Sequence, residues 1–347
     1  MKRRADRFSP LEYLIFSAVT LLALWVCVCL GSVNVPIIDT LSVIGQALRA
    51  LLWGGPRPAG LTAAVILSVR LPRVLCVAMT GAALSLSGAA MQGLLKNPLA
   101  DGSTLGVSSG AALGAVVAIA FGVRIPFLPF AGTMATAMLF AFLSLLLILG
   151  LAYKLDYSLS TGTIILLGVV FSMFASSLMS LVITFAADRV RQITFWTMGS
   201  LQGKSYTEAL ILFTALAVFG GGLLLHRREL NAFAVGEDNA RRVGVDVRRV
   251  RLTLLILVSG LIGVCVSIGG AIGFVGLVTP HMARLLVGPN HHRLLPASLF
   301  GGAVFLLLAD LIARVLLDPV ELPIGVVTSL VGAVAFVLLF YRGRKGK

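Results

Sequence analysis

Apolar segments of roughly 20 residues follow one another along almost the whole chain, and this feature restricts the fold more than any other. A helix rises about 1.5 Å per residue, so a segment of that length crosses the hydrocarbon core of a bilayer. Inside lipid each backbone N–H and C=O must bond within its own segment, which a helix achieves. The sequence therefore predicts an all-α polytopic membrane protein with about ten transmembrane helices, near residues 11–32, 63–95, 104–121, 127–151, 161–186, 206–225, 252–270, 274–290, 296–316 and 324–341.

The balance of residue types agrees with a protein surrounded by lipid. The 347 residues are 58% hydrophobic and only 12% charged, whereas soluble domains carry about 25% charged residues. No polar stretch is long enough to fold around its own core, so we expect a single transmembrane domain over residues 1–347. Residues 11–30 already form a full span and no small-residue cleavage site follows, so we expect no cleaved signal peptide.

The net charge of +14 is explained by membrane topology. Cytoplasmic loops collect Lys and Arg, and most of the 28 basic residues fall on the side that carries both predicted termini. Seven arginines lie in one loop alone, residues 226–251. We therefore expect a multi-pass protein with both termini in the cytoplasm, and no nucleic-acid partner is needed to account for the charge.

Small residues recur every four positions in three of the predicted spans. Because lipid provides no hydrophobic drive for helix association, such rows predict close backbone packing. Two rows are Gly81, Ser85, Ala89 and Gly93, and Gly106, Gly110, Gly114, Ala118 and Gly122. The third row carries mostly hydroxyl groups, which either bond back to their own helix or line a water-filled path, and its members are Gly168, Ser172, Ser176, Ser180 and Thr184.

Several motifs resemble ligand sites but lack the required pattern. The stretch "GSLQGKS", residues 199–205, has three residues between its glycines where a phosphate-binding P-loop needs four, and "GGAIGFVG", residues 269–276, does not fit a dinucleotide fingerprint. The four cysteines all lie in apolar runs without a C-x-x-C pair, and His281 is isolated. We therefore expect neither a bound metal nor a cofactor.

The longest polar segment is "ELNAFAVGEDNARRVGVDVRRVR", residues 229–251. Its acids precede its arginines, which predicts a short helix that begins after Gly236 and stops at Gly244. The segment is either an ordinary surface loop or a coupling element that docks on a motor subunit. In the second case the contact residues are Gly236, Glu237, Asp238, Ala240, Arg241 and Gly244.

Seven motifs give the chain a resemblance to a known family: "RLPRVL", "GAAMQGLLKNPLADGSTLGVSSGAALGA", "FWTMGSL", "AVGEDNARRVGV", "GFVGLVTPHMARLL", "LADLIAR" and "ELPIGVV", in that order. The chain resembles the FecCD permeases of type II ABC importers from about residue 60 to residue 341. The resemblance implies a ten-helix permease of the bacterial inner membrane that pairs with a second copy or a homologue. It also implies two cytoplasmic ATPase subunits and an extracytoplasmic binding protein, so the chain itself is not expected to be an enzyme.

The resemblance further implies roles for individual residues. Outward-facing arginines at Arg70, Arg73 and Arg314 would dock the binding protein, although anchoring to lipid headgroups, or a pair between Arg314 and Asp310, would also explain them. Asn97, Leu99 and Thr161 would form a cytoplasmic gate, with Gly162 where the family's cobalamin permease has serine. The hydroxyl row would line a translocation path at the dimer axis.

Two other functions fit the sequence less well than the importer does. A secondary carrier usually needs more intramembrane carboxylates than Asp310 alone, and an intramembrane enzyme needs a nucleophile with a base, which no span offers. The cargo stays open: we rank ferric siderophores ahead of haem, with cobalamin as the alternative.

Overall fold

The computed structural model describes residues 8–31, 35–56, 58–123, 125, 131–157 and 159–345, and these residues are mostly helical. The basic residues before Phe8, which contributed to the predicted topology, lie outside them, as does Lys347. In chain order the helices are α1 Pro10–Cys29, α2 Ile37–Trp53, α3 Leu61–Leu94, α4 Val107–Ala120, α5 Ala131–Leu155, α6 Thr161–Phe185, α7 Val190–Thr197, α8 Tyr206–Leu225, α9 Arg227–Val235, α10 Glu237–Arg242, α11 Val247–Gly269, α12 Val275–Val287, α13 His291–Val315 and α14 Ile324–Lys345.

The predicted fold class is confirmed. Among the described residues seven helices are long and apolar enough to span a bilayer, namely α1, α3, α5, α6, α8, α11 and α13. Three shorter apolar helices, α4, α12 and α14, fall on the remaining predicted spans. Each predicted span therefore corresponds to one helix of the structure.

Three helices were not predicted, namely α2, α7 and α9. Asp39, Gln46 and Arg49 interrupt the apolar run of α2, so it does not have the pattern of a span. Its large apolar side chains nevertheless lie exposed, Ile38 at 78% and Leu51 at 80%. The other two, α7 and α9, have only eight and nine residues, which is too short for a periodicity to be recognised.

Helix α3 is the centre of the bundle, in contact with α11, α12 and α13. Its first small-residue row provides the close approach. A Cβ atom added to Gly81 would lie 2.3 Å from the backbone oxygen of Gly302 in α13, and one added to Gly88 would lie 1.8 Å from that of Gly276 in α12. The predicted role of this row in packing is confirmed.

The second row packs for part of its length. A Cβ on Gly110 would lie 2.3 Å from the Ser144 hydroxyl, and one on Gly114 would lie 2.6 Å from the backbone oxygen of Thr136, so both glycines face α5. Gly106 is also closely packed, since a Cβ there would lie 2.9 Å from the Ile148 side chain, and it adopts φ +73 before the first turn of α4, a conformation that favours glycine. Gly122 meets no neighbour, so the row ends before it.

Contacts between the helix ends define two faces of the bundle. Arg293 at the start of α13 pairs with Glu12 at the start of α1, while His291 lies against Gly93 at the end of α3. We call this end, which continues toward both chain termini, the termini face. At the other end Arg314 of α13 bonds to the Leu30 carbonyl after α1 and lies near Arg70 of α3, and we call this end the opposite face.

Two adjacent glycines of α13 test the close packing. We expect Gly302→Ala to lower the free energy of unfolding by about 1–3 kcal/mol, because its new methyl group would collide with the Gly81 backbone. Gly301→Ala is the matched control, since a Cβ there meets nothing within 4 Å and alanine favours the helix. The measurement is the melting temperature of the detergent-solubilised protein. Equal melting temperatures for the two variants would contradict the packing assignment.

Candidate translocation path and docking surfaces

A network of charged side chains lies at the opposite face. Asp310 of α13 accepts hydrogen bonds from the Nη2 and Nε groups of Arg73, at 2.9 and 3.1 Å, and pairs with Arg314 at 3.0 Å. Arg73 also bonds to Glu321 at 2.7 Å. Asp310 is 1% exposed, so the pairing compensates for the loss of water around these charges.

Two arginines at this face, Arg70 and Arg314, bond to the last carbonyl groups of α1. A helix leaves its last carbonyl groups without partners, which is costly in a membrane. Arg70 donates to the carbonyls of Val28 and Cys29, and Arg314 donates to those of Cys27 and Leu30. The guanidinium groups therefore join α1 to both α3 and α13.

The expectation that these arginines face outward is wrong. Arg70, Arg73 and Arg314 are only 5%, 7% and 3% exposed. Carbonyl groups at the end of α1 accept the hydrogen bonds of Arg70 and Arg314, and the carboxylates of Asp310 and Glu321 accept those of Arg73. The donors expected to meet a partner protein are therefore already bonded within the chain. The pair between Arg314 and Asp310, left open as an alternative, is present.

A cleft of about 1050 Å³ lies beside this network on the opposite face. Glu321, which bonds to Arg73, forms part of its wall, together with Trp196, Lys204 and Glu208. Burial lowers the pKa of the Lys204 ammonium, and the negative charge of nearby Glu208 partly offsets that effect. The cleft thus presents charges of both signs close to the buried network.

The glycine-rich motifs around this cleft have structural roles. A Cβ on Gly199 would lie 2.5 Å from the backbone oxygen of Ala271, and one on Gly270 would lie 2.3 Å from that of Trp196. The Ser200 amide also donates to the Gly269 carbonyl at 2.8 Å. The segments at 199–205 and 269–276 therefore pack against each other at their glycines.

The hydroxyl row of α6 divides into two parts. A Cβ on Gly168 would lie 2.2 Å from the Thr104 backbone oxygen, and Ser172 accepts a hydrogen bond from Ser109 of α4 at 3.0 Å. Ser176, Ser180 and Thr184 are exposed, because a row with four-residue spacing drifts around the helix. The Ser180 and Thr184 hydroxyls bond back to the carbonyls four residues earlier.

The exposed part of that row belongs to a long uncovered face of α6. Apolar side chains share the face, with Val170 54%, Phe174 57% and Leu181 53% exposed. Ala175 on the other side of the helix is fully buried. Helix α6 therefore presents to its surroundings a face that mixes hydroxyl groups with hydrocarbon.

The proposed gate residues lie in two loops. Asn97 accepts the amide hydrogen of Leu99 at 2.9 Å, which shapes the turn after α3, and the Leu99 side chain is 52% exposed. Thr161 is the first residue of α6, directly after the Ser160 cap. In the described ranges no hydrogen bond joins Thr161 to Asn97 or Leu99, so the structure does not bring the three together in that way.

The segment between α8 and α11 contains the predicted short helix. Helix α10, Glu237–Arg242, lies between Gly236 at φ +146 and Gly244 at φ +86, so both predicted boundaries are confirmed. Asp238 and Arg241 are exposed, while Ala240 is buried.

The sequence also predicts an apolar strip in this segment, formed by Phe233, Val235, Val243 and Val245, and only part of it is available to a partner. Val235 and Val243 are 73% and 72% exposed. Phe233 is fully buried, because it packs inside the protein below the Arg251 side chain. The expectation that Phe233 belongs to the exposed strip is therefore wrong.

Arg251 is a buried residue that the sequence reasoning did not single out. Its Nη1 group donates to the Leu159 carbonyl at 2.6 Å, its Nη2 group pairs with Glu237, and its guanidinium carbon lies 5.9 Å from the Phe233 ring centre. Leu159 has φ +53, a conformation that costs a non-glycine residue about 1–3 kcal/mol. Arginine at the start of a span is usually a topology signal, so nothing in the sequence distinguishes Arg251 from Arg248 and Arg249.

The histidines make structural contacts. The His291 ring bonds to Asn231 at 2.9 Å, and the His281 ring lies 6.3 Å from that of Phe336. Within the described part of the chain no three side chains of His, Cys, Asp or Glu come together as metal ligands would.

Comparison with known proteins gives consistent matches. A profile of the FecCD transport family matches residues 19–342. The uncharacterized ABC transporter permease protein YvrB of Bacillus subtilis is 43% identical over 283 residues, which cover 81% of this chain and 80% of that protein. The cobalamin import system permease protein BtuC of Halobacterium salinarum is 38% identical, covering 80% of this chain and 74% of that protein.

Two further similarities concern cargo and fold. The hemin transport system permease protein HmuU of Yersinia pestis is 38% identical, covering 80% of this chain and 84% of that protein. A solved structure, described as an inward-facing conformation of an ABC transporter assigned to the metal-chelate type, superimposes with a TM-score of 0.78 and 33% identity. The superposition covers 95% of this chain and 99% of that one.

Removal of the charge on Asp310 tests the buried network. We expect Asp310→Asn to lower the free energy of unfolding by about 3–5 kcal/mol, because Arg73 and Arg314 would lose their shared counter-charge inside the protein. Asp188→Asn is the control: its pair with Arg189 is exposed, and such pairs contribute about 0–1 kcal/mol. Melting temperatures of both variants in detergent give the answer. An Asp310→Asn protein as stable as Asp188→Asn would show that the network does not hold the helices together.

Proposed function

The chain belongs to the FecCD transport family and is a permease of an ABC importer, and on that basis we propose that it carries an iron chelate, a ferric siderophore ahead of haem, into the cell. The proposed setting is the bacterial inner membrane with both termini in the cytoplasm, so that the termini face is cytoplasmic and the opposite face extracytoplasmic. Cobalamin is the second candidate cargo, because a cobalamin permease is among the similar proteins.

The observation that carries this proposal is the similarity in structure to an ABC transporter assigned to the metal-chelate type, over 95% of the chain. Hemin transport by another relative also favours a bulky iron compound. The long uncovered face of α6 supports this cargo. It mixes exposed hydroxyl groups with hydrocarbon, as a path for a large amphiphilic ligand requires.

We further propose that a second permease copy covers this face and that the path runs between the two copies. Ser176, Ser180 and Thr184 then line the path, and Ser172 lies at its edge, where it is bonded to Ser109. At the cytoplasmic end Asn97, Leu99 and Thr161 form the gate. Their loops meet in a closed state of the dimer.

A binding protein is proposed to dock on the extracytoplasmic face. Arg70, Arg73 and Arg314 support this surface from inside, because they fix the end of α1 and the carboxylate of Glu321 at the cleft. Partner contacts fall on the exposed cations nearby, Arg189 and Arg191. Contacts of this kind weaken as ionic strength rises.

ATP hydrolysis is proposed to take place in two separate subunits on the cytoplasmic face, seated against α10. Exposed Asp238, Arg241 and Val243 suit such a contact. Gly236 and Gly244 have backbone conformations that favour glycine, and they fix the direction in which the helix projects. Glu237 and Ala240 face the permease, so they hold α10 in place.

Reconstitution into proteoliposomes with the ATPase subunits and the binding protein tests the importer. We expect uptake of a radioactive ferric siderophore that requires ATP, is blocked by vanadate and is insensitive to an uncoupler. Haemin and cobalamin serve as competing cargoes in the same assay. Uptake that persists without ATP and collapses with an uncoupler would indicate a secondary carrier. Uptake of cobalamin alone would show that cobalamin, and not an iron chelate, is the cargo.

Cysteine labelling tests the path along α6. In a background without the four native cysteines, we expect Ser176→Cys and Ser180→Cys to react with a membrane-impermeant thiol reagent in at least one nucleotide state, because both positions are exposed on the proposed lining. Ala175→Cys is the matched control, since that position is fully buried. If positions 176 and 180 stay unreactive in every state, the face does not line a water-filled path.

A further inference from the structure

Three arginines at the start of α11 have different surroundings although they are close in sequence. The Arg249 side chain is 88% exposed and pairs with Asp246 in the preceding turn. The Arg251 side chain is 1% exposed. A buried guanidinium group is costly unless its donors find partners, so the contacts of Arg251 indicate which parts of the protein it holds together.

The contacts of Arg251 come from two separate parts of the chain. On one side are Glu237, the first residue of α10, and Phe233 of α9. On the other side is the carbonyl of Leu159, two residues before Thr161. One planar guanidinium group therefore joins the helix proposed to contact the ATPase to the loop that begins α6.

The backbone at Leu159 adds to this argument. Its φ of +53 is unfavourable for leucine, and the surrounding bonds hold it in place. Arg251 binds its carbonyl, while Asp156 accepts the amide hydrogen of Ser160 at 3.0 Å and the Thr163 hydroxyl at 3.2 Å. Release of the Arg251 bond would let this loop relax and shift the first turn of α6.

Away from Arg251, a cleft of about 670 Å³ separates the loop before α6 from the segment between α8 and α11, which we call the coupling segment. Asp156 and Tyr157 line one side of it, and Arg241 and Val245 line the other. Arg248 reaches the loop, where its guanidinium carbon lies 3.9 Å from the Tyr157 ring centre. Arg251 differs from Arg248 because its bonds reach both α10 and the loop.

We infer that Arg251 is a positioning residue that transmits displacement of α10 to the gate end of α6. When an ATPase subunit moves α10, Glu237 pulls on the guanidinium group, and the group pulls on the Leu159 carbonyl. The inference rests on the proposed function, because it assumes that α10 contacts the ATPase and that the start of α6 belongs to the gate.

The test uses the reconstituted complex and two variants. Arg251→Lys keeps the charge but has a single nitrogen in place of the fork that reaches Glu237 and Leu159 together. Glu237→Gln weakens the same link at its partly exposed end, which keeps the test valid if substitution of Arg251 prevents folding. Arg249→Gln is the matched control on the same helix, because it removes an exposed arginine.

The first measurement is the number of cargo molecules transported per ATP hydrolysed. We expect this ratio to fall about tenfold in both variants while ATP hydrolysis continues, since coupling between sites in proteins typically amounts to about 5-fold to 150-fold. Arg249→Gln should keep the ratio of the unmodified protein. Transport and hydrolysis that decline in parallel would show that Arg251 only stabilises the fold, and an unchanged ratio would also overturn the inference.

The second measurement follows the two ends of the link separately. Single cysteines replace exposed Asp238 in α10 and exposed Gly162 in α6, and their reaction with a maleimide is timed with and without ATP and vanadate. In the protein with Arg251, the labelling rates at positions 238 and 162 should both change when ATP and vanadate are added. In Arg251→Lys, only the labelling rate at position 238 should change.

These rates distinguish the inference from the proposed function. If the labelling rate at position 162 still depends on nucleotide in both variants, the role of Arg251 is wrong, while the proposed function stands. If position 238 does not respond in the protein with Arg251, the proposed contact between α10 and the ATPase is wrong, and the inference falls with it.

Discussion

The close backbone contact between α3 and α13 is the interaction on which the rest of the bundle depends. Lipid is as apolar as a leucine side chain, so helices gain little in it by burying hydrocarbon against one another. Gly81 and Gly302 instead let two backbones approach until there is no room for a methyl group. Helices α1, α11 and α12 pack around this pair.

Charged groups at the two ends of this bundle have a common use. On the opposite face Asp310 holds Arg73 and Arg314, and Arg70 and Arg314 close the end of α1. On the termini face Arg251 binds Glu237 and a backbone carbonyl. In both places the planar guanidinium groups bond to groups that belong to different segments of the chain. A small number of buried arginines therefore fixes the loops that are proposed to contact the partner proteins.

The contrast between α6 and α11 connects this packing with transport. Helix α11 is largely buried inside the protein, whereas most of α6 is uncovered. Under the proposed function the enclosed helices form a stable frame, and α6 is the element free to meet a second copy and the cargo. Arg251 of α11 bonds to the loop before α6 and to Glu237 of α10, so under the same proposal the frame holds one end of the path in position.

The sequence by itself determined the number and positions of the spans and the short helix between Gly236 and Gly244. These features depend on local patterns: unbroken apolar length, spacing of small residues, and glycine at positions with positive φ. The seven motifs identified the family for the same reason. The tertiary structure alone decided that Arg70, Arg73 and Arg314 are buried, that Phe233 is covered, and that Arg251 differs from Arg249. Each of these depends on residues more than ten positions away in the chain, such as the carbonyl of Leu159 or the end of α1, and a sequence pattern does not record which distant groups a side chain meets.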